Sequence, residues 1–324
     1  MSLRALSAVL VALFALTAAP SAPAQTYPNK PIRLVIPFPP AGATDIVGRL
    51  MAQKLSESLG QSVVVDNKPG AGGAIGTDIV AKSPPDGYTI LIATTSTHSI
   101  GPALYAKLPY DTVKDFTPII HLSDSPHVLV VSSMLPYKTV GELIAAAKAK
   151  PGSLNYSSSG VGTIIQLTAE QFKLITHTNI VHVPYKGSAL AFGDLATGQV
   201  SMMFDNVISA QPSLLSGKVR PLGVTSAKRS TLLPNVPTMD EAGVKGMVSD
   251  AYFGLWGPAG TPAPVVNRIN ADANKILQTA DLKERFAQLG CVPVGGTPQA
   301  FAQHIASETA KWSAVIKAAG IKPE

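Results

Sequence analysis

The chain of 324 residues is 46% hydrophobic and 14% charged, with a formal net charge of +6 and a single cysteine, Cys291. That composition supplies a core and excludes an extended disordered chain. The mild cationic excess forms no stripe of the kind that follows a phosphate backbone, so nucleic acid is not an expected partner, and one cysteine permits neither an internal disulfide nor a cysteine-based metal site.

The first 24 residues have the plan of a cleavable secretory signal peptide. Arg4 gives a positive start, Ala5 to Ala19 is apolar, and Ala22-Pro23-Ala24 places small residues at the cleavage positions. The apolar run is short for a bilayer span and no stop-transfer cluster follows it, so an exported protein beginning near Gln25 is expected. Export leaves 300 residues, a length that commonly divides into two domains with a cleft between them.

Arg33-Leu34-Val35-Ile36, Ser62-Val63-Val64-Val65 and Tyr88-Thr89-Ile90-Leu91-Ile92 are short β-branched runs of strand length. Their nearly continuous apolar character suits strands covered by helices on both faces, and so a parallel sheet. Between the first two, Asp45 to Leu59 carries apolar residues at helical spacing and is closed by Gly60. A second helix is expected from Ala74 to Lys82, stopped by Pro84-Pro85. Gly70, Gly72 and Gly76 before it depart from the dinucleotide-binding spacing, and a tight glycine turn is the preferred reading.

A second series starts with the strand Val128 to Val131 and the helix Val140 to Lys150. Strands at 154–156, 180–183, 200–204 and 219–224 follow, with helical patterns among them. Two long amphipathic helices close the chain, near Pro264–Thr279 and Pro298–Ala319; the last has Trp312, Val315, Ile316 and Ala319 on its apolar stripe.

Two loops carry the functional signal. Pro37 to Asp45 leaves a strand, turns through Gly42 and enters a helix whose first N–H groups suit a carboxylate. Asp45 competes for that role as a cap. Tyr156 to Thr163 repeats the plan in the second series, with hydroxyls and free N–H groups together. Two such loops, one from each domain, are what an open α/β cleft needs to hold an anion from both sides. Gly-x-Ser-x-Gly, His-Glu-x-x-His and P-loop signatures are absent, and the six histidines show no metal-ligand spacing; neither catalysis, a cofactor nor a metal is expected.

Val35 to Asp45, Val65 to Gly73, Pro85-Asp86-Gly87-Tyr88, His182 to Gly187 and Gly257 to Pro262 together resemble the Bug family of tripartite tricarboxylate transporter receptors, in order over nearly the whole mature chain. The resemblance implies a two-lobed α/β receptor of the periplasmic binding protein class, a type II-like Venus flytrap with a mainly parallel, helix-flanked sheet in each lobe. Residues 25–125 and 226–324 would form lobe 1 and 126–225 lobe 2. It implies a monomeric periplasmic protein that closes on a small carboxylate and delivers it to an inner-membrane permease. Carried over by position, the ligand-binding residues are Phe38, Ala41, Gly42, Ala43, Thr44 and Asp45 in the first loop and Ser157, Ser159, Gly160 and Thr163 in the second. Ser96 and Asp205 are expected selectivity positions, although Asp205 also suits a helix cap. Ala41 stands where the family has glycine and Gln166 where it has histidine. A receptor feeding a membrane sensor and a secreted hydrolase using Ser157, Ser158 or Ser159 are the alternatives.

Overall fold

A computed structural model of the chain describes residues 27–321; the expected signal peptide lies outside the described residues. The three apolar runs form β1 (Ile32–Ile36), β2 (Val63–Asn67) and β3 (Thr89–Thr94), all parallel, with Leu34 opposite Val65 and Ile90. The helix between β1 and β2, α1 (Ala43–Leu59), begins two residues earlier than expected, at the N-cap Gly42. Gly60 closes it at φ 69°, its N–H returning to Ser56 O. Val47, Met51, Leu55 and Leu59 bury the inner face of α1. Each side chain so buried is worth about 1.5–3 kcal/mol. A short 3₁₀ turn leads into α2 (Ala74–Ala81). Gly76 there is a close-packing glycine, since a Cβ would stand 2.6 Å from Lys68 O and 2.8 Å from Pro37 Cα.

After β3 come a π-helical turn at Ser96–Ile100 and the short α3 (Gly101–Leu104). The next strand, β4 (Phe116–Ser132), is 17 residues long and serves both lobes. Its first part pairs antiparallel with β9 (Asp250–Pro258), from Phe116↔Pro258 to Pro126↔Asp250. Its second part pairs antiparallel with β7 (Met202–Asn206) and β8 (Val219–Val224). In the second lobe, β5 (Asn155–Ser158) runs parallel to β6 (Val181–Pro184) and to β7. The helices there are α4 (Val140–Ala149), α5 (Ile164–Thr176), α6 (Ser188–Ala196) and α7 (Val207–Leu215). The strand order is β2-β1-β3-β9-β4-β7-β5-β6, with β8 and the short β10 (Val292–Pro293) also on β4. The outer strands of each lobe are thus parallel, and the strands that pass between lobes add the antiparallel pairs.

The return path differs from the expectation. A crossing near Thr225 assigns the next segment to lobe 1, but Met239, Val244 and Met247 are buried with Leu129, Val131 and Leu143 of the second lobe, and Val224 bridges Thr238. Because Met239, Val244 and Met247 pack on the second-lobe core, we place the return at Ser249–Asp250. The passage there is tightly bonded. Thr225 N donates to His127 O at 2.9 Å, His127 N to Thr225 Oγ1 at 2.9 Å, and His127 Nδ1 to Ser249 O at 2.8 Å. Burial pushes the His127 pKa down to about 4, so the ring is neutral there.

The chain closes with α8 (Ala263–Gln278), α9 (Ala280–Leu289) and α10 (Pro298–Ala319). The side chain of Thr279 caps α9 and separates it from α8, a break not foreseen in the periodicity. Trp312 on α10 is fully buried and its Nε1 donates to Glu308 at 2.9 Å. Among the described residues no helix is long and apolar enough to cross a membrane.

Candidate functional site

Between the two halves of the sheet lies a cavity of about 330 Å³. The first lobe contributes Phe38, Pro39, Pro40, Gly42, Ala43 and Thr44, with Thr94, Ser96, Ala251 and Phe253; the second contributes Ser159, Ile164, Ile165, Lys186 to Leu190 and Asn206. Its volume is at the small end for ligand pockets, which fits a metabolite of few heavy atoms.

The first loop owes its shape to a carboxylate that does not enter the cavity. No side chain caps α1, so its first N–H groups remain open toward the lining residues Gly42, Ala43 and Thr44. Asp45 would be the obvious competitor. Instead its carboxylate accepts from Ala41 N at 3.0 Å, from Arg49 Nε at 2.9 Å and from Asn67 Nδ2 at 2.8 Å. Burial pushes the Asp45 pKa up, but those hydrogen bonds outweigh it and hold the carboxyl below its usual range. Asn67 also donates to Phe38 O at 3.0 Å and so ties the loop to β2. Ala41, where the family resemblance leads one to expect glycine, sits at φ 65°, a left-handed conformation that costs a residue with a Cβ about 1–2 kcal/mol. Ala41 does not line the cavity; its role is the bond to Asp45.

The second loop is built differently. Thr163 is the N-cap of α5 but its hydroxyl donates to Gly160 O at 2.7 Å rather than capping the helix. The first helical N–H, Ile164 N, donates across the cleft to Ser96 Oγ at 2.9 Å. Gln166 Oε1 accepts from Gly162 N at 2.8 Å, so the glutamine, where the family resemblance leads one to expect histidine, fastens the loop from inside. Of the expected residues, Ser159 lines the cavity and Gly160 lines the groove continuing from it. Ser157 and Thr163 are buried beneath.

A third strand-to-helix junction, absent from the expected set, completes the second-lobe wall. Gly187, at φ 113°, is the N-cap of α6, which also lacks a side-chain cap, and Ser188, Ala189 and Leu190 line the cavity. The signal was present as strand, Lys186-Gly187, helix, the plan of the other two loops. Asp205 is fully buried behind this wall, accepting from Ser188 Oγ at 3.1 Å and from Asn206 N at 2.9 Å. Burial raises its pKa to about 7 against the pull of those bonds. The neighbour Asn206, not Asp205, faces the cavity.

Serine and histidine do meet here, without hydrolytic geometry. Ser158 Oγ lies 2.7 Å from His182 Nε2, but Ser158 is fully buried. The His182 Nδ1 faces the Gln166 amide nitrogen at 3.4 Å. That nitrogen can only donate, so the ring proton belongs on Nε2 and His182 donates to Ser158 instead of accepting its proton. Burial lowers the His182 pKa to about 4. Elsewhere His121, Asp124 and His304 bring donor atoms within 4.8 Å of one another, a proximity their sequence spacing did not reveal. The two rings stack with centroids 4.6 Å apart, and none of the three residues lines the cavity.

Comparison with known proteins points to one family. The model of the tripartite tricarboxylate transporter family receptor matches residues 47–321. Protein BugT of Bordetella pertussis is 39% identical over 316 residues, covering 97% of each chain. Among solved structures, R. palustris Rpa4515 with adipate is 40% identical with a TM-score of 0.90, covering 92% of this chain and 100% of the other. The periplasmic binding protein BugD is 34% identical with a TM-score of 0.87, again over 92% and 100%.

Proposed function

The chain belongs to the tripartite tricarboxylate transporter receptor family, and from that premise we propose that it captures a small organic carboxylate in the periplasm and hands it to an inner-membrane permease of the tripartite type. The observation that carries this reading is the convergence of uncapped helix N-termini from both lobes, α1 and α6, on one small cavity. Each N-terminus favours an anion by about 0.3–1 kcal/mol beyond its hydrogen bonds, and neither is neutralised by a capping acid. Adipate, a dicarboxylate, occupies a relative 40% identical to this chain, which supports the ligand class.

In this reading Phe38, Gly42, Ala43, Thr44 and Ser159 contact the ligand. Asp45, Asn67 and Ala41 shape the first loop, and Ser157, Gly160 and Thr163 the second. Ser96 links the lobes through Ile164. Donors on two lobes are satisfied together only when the cleft is shut, so ligand draws the population toward the closed form. Release unaltered to a permease completes the cycle. The inward proton of His182 argues against hydrolysis at Ser158.

A thermal-shift screen of residues 25–324 against mono-, di- and tricarboxylates, with neutral amides as controls, tests this. A hundredfold excess over the dissociation constant adds about 2.7 kcal/mol of stability. Acids should raise the melting temperature and be recovered unchanged. Silence from every acid, or a response confined to neutral amides, would reject the carboxylate reading.

A further inference from the structure

Outside the cleft, where β4 pairs with β9, stands a group of side chains that carboxylate capture does not use. On a regular strand His121 and Asp124, three residues apart, would point to opposite faces. β4 is not regular there. His121 pairs with Gly254, Ser123 with Phe253 and Asp124 with Tyr252, so Leu122 is an extra residue with no partner of its own on β9. This bulge sets His121 and Asp124 two ladder positions apart and therefore on one face, the re-aiming of side chains that bulges commonly provide.

The helix α10 lies over that face. Phe301 fills the space above Gly254 that a Cβ would need. His121 stacks on Phe301 at 5.2 Å and on His304, one turn further along α10, at 4.6 Å. One ring nitrogen of each histidine and one carboxylate oxygen of Asp124 consequently lie within 4.8 Å of one another. Their mutual bonds leave the group incomplete: His121 Nε2 meets Asp124 Oδ1 at 2.8 Å, but His304 Nε2 is buried with no hydrogen-bond partner among the described residues. Asp250, on the same face of β9 two residues before Tyr252, interacts electrostatically with Asp124, Glu308 and Lys311, so three carboxylates meet one ammonium there. The Asp124 side chain is 33% exposed, which leaves an entry from solvent.

Two imidazoles and a carboxylate suit a borderline divalent cation such as Zn²⁺ and not Mg²⁺ or Ca²⁺, which take oxygen ligands. Donors around a tetrahedral Zn²⁺ stand about 3.3–3.5 Å apart, so a spread of at most 4.8 Å closes by side-chain rotation of His304 and Asp124, both partly exposed. We propose that His121, Asp124 and His304 form a three-ligand site for a zinc-type divalent cation, with water in the fourth position, fastening α10 to β4 beside the lobe crossing. The cation takes the place of the proton between His121 Nε2 and Asp124, and the neutral ring then carries its N–H on Nδ1.

Calorimetry of Zn²⁺ alone into the mature protein, residues 25–324 without an affinity tag and in a buffer free of carboxylic acids, tests this. One equivalent should bind and raise the melting temperature, since a cation held only by the folded chain stabilises it. Mg²⁺ should do neither. Co²⁺ in the site should absorb in the visible, and added Zn²⁺ should remove that band. His304→Gln, at a partly exposed position of α10, and Asp124→Asn should each weaken zinc binding by at least the roughly 10–100-fold that losing even a hydrogen-bond partner of a metal ligand costs. Acids should bind in the cleft of both variants as in the parent, because none of the three residues lines the cavity. Absence of one-to-one zinc binding by the unmodified protein, or undiminished zinc affinity in both variants, overturns the site.

Discussion

The two cleft loops share a plan of strand, glycine turn and helix, yet dispose of their backbone donors by opposite means. At the first, the lobe does the work alone: Arg49, Asn67 and Ala41 N occupy Asp45, and the N-terminus of α1 stays open. At the second, one helical N–H is already spent on Ser96 of the other lobe. The difference teaches that a local motif supplies donors, whereas neighbouring elements decide whether they serve a ligand or lobe contact. On the proposed reading, the first loop offers its donors before closure and the second is completed by it.

The largest expected effect breaks the first loop. Gly42 has φ −82°, and a Cβ there would meet only Pro39 O at 3.7 Å, so Gly42→Asp fits. It supplies the cap that α1 lacks and should raise stability by about a few tenths of a kcal/mol. The same carboxylate repels the ligand's, at a cost of several kcal/mol, so calorimetry should show affinity lowered by about a hundredfold or more. Retained affinity would show that the α1 terminus is not the anion site.

Next comes the second-lobe wall, where a buried acid is left unpaired by any cation. The Asp205 pKa is raised to about 7 in the folded protein, so between about pH 4 and 7 the folded state binds more protons than the unfolded one. Stability from this group is therefore greatest below pH 4 and is lost as pH rises toward 7. Asp205→Asn should match the parent near pH 4 and exceed it by on the order of 3 kcal/mol at pH 8. Denaturant melts at the two pH values check this; a constant difference would mean that Asp205 does not titrate in this range.

The smallest effect sharpens the contrast between loops. Ser96→Ala leaves Ile164 N without its cross-lobe acceptor and should cost about 1 kcal/mol, or roughly fivefold in ligand affinity, if closure forms that bond. Stability without ligand should change less than stability with it. Equal losses in the two conditions would make the contact a fold element rather than a closure element.

Much of the fold was legible because its rules are local. Period-two and apolar runs marked β1, β2 and β3, and Gly60 ended α1 in the left-handed turn that its lack of a Cβ permits. The loops at 37–45 and 156–163 were legible for the same reason. The strand β9 was not: its apolar run Tyr252 to Trp256 is read as strand once β3 and β4, both distant in the chain, bond it on either side. Nor could spacing show that Asp205 would be sealed behind Asn206. Alternation places them on opposite faces of β7, and only the packing of α6 decides which face meets the cleft.

The sequence by itself determined the α/β plan, the glycine-turned loops and the helix that follows each, since turns, caps and periodicity act within a few residues. Tertiary structure alone decided the return of the chain at Ser249, the diversion of Asp45 to Asn67, the bond from Ile164 to Ser96 and the exposure of Asn206 to the cavity. The bonds among those outcomes join groups from 22 to 122 residues apart. Over such separations the backbone has no local preference to express, and which donor meets which acceptor is fixed only when the sheet is assembled and the two lobes face each other.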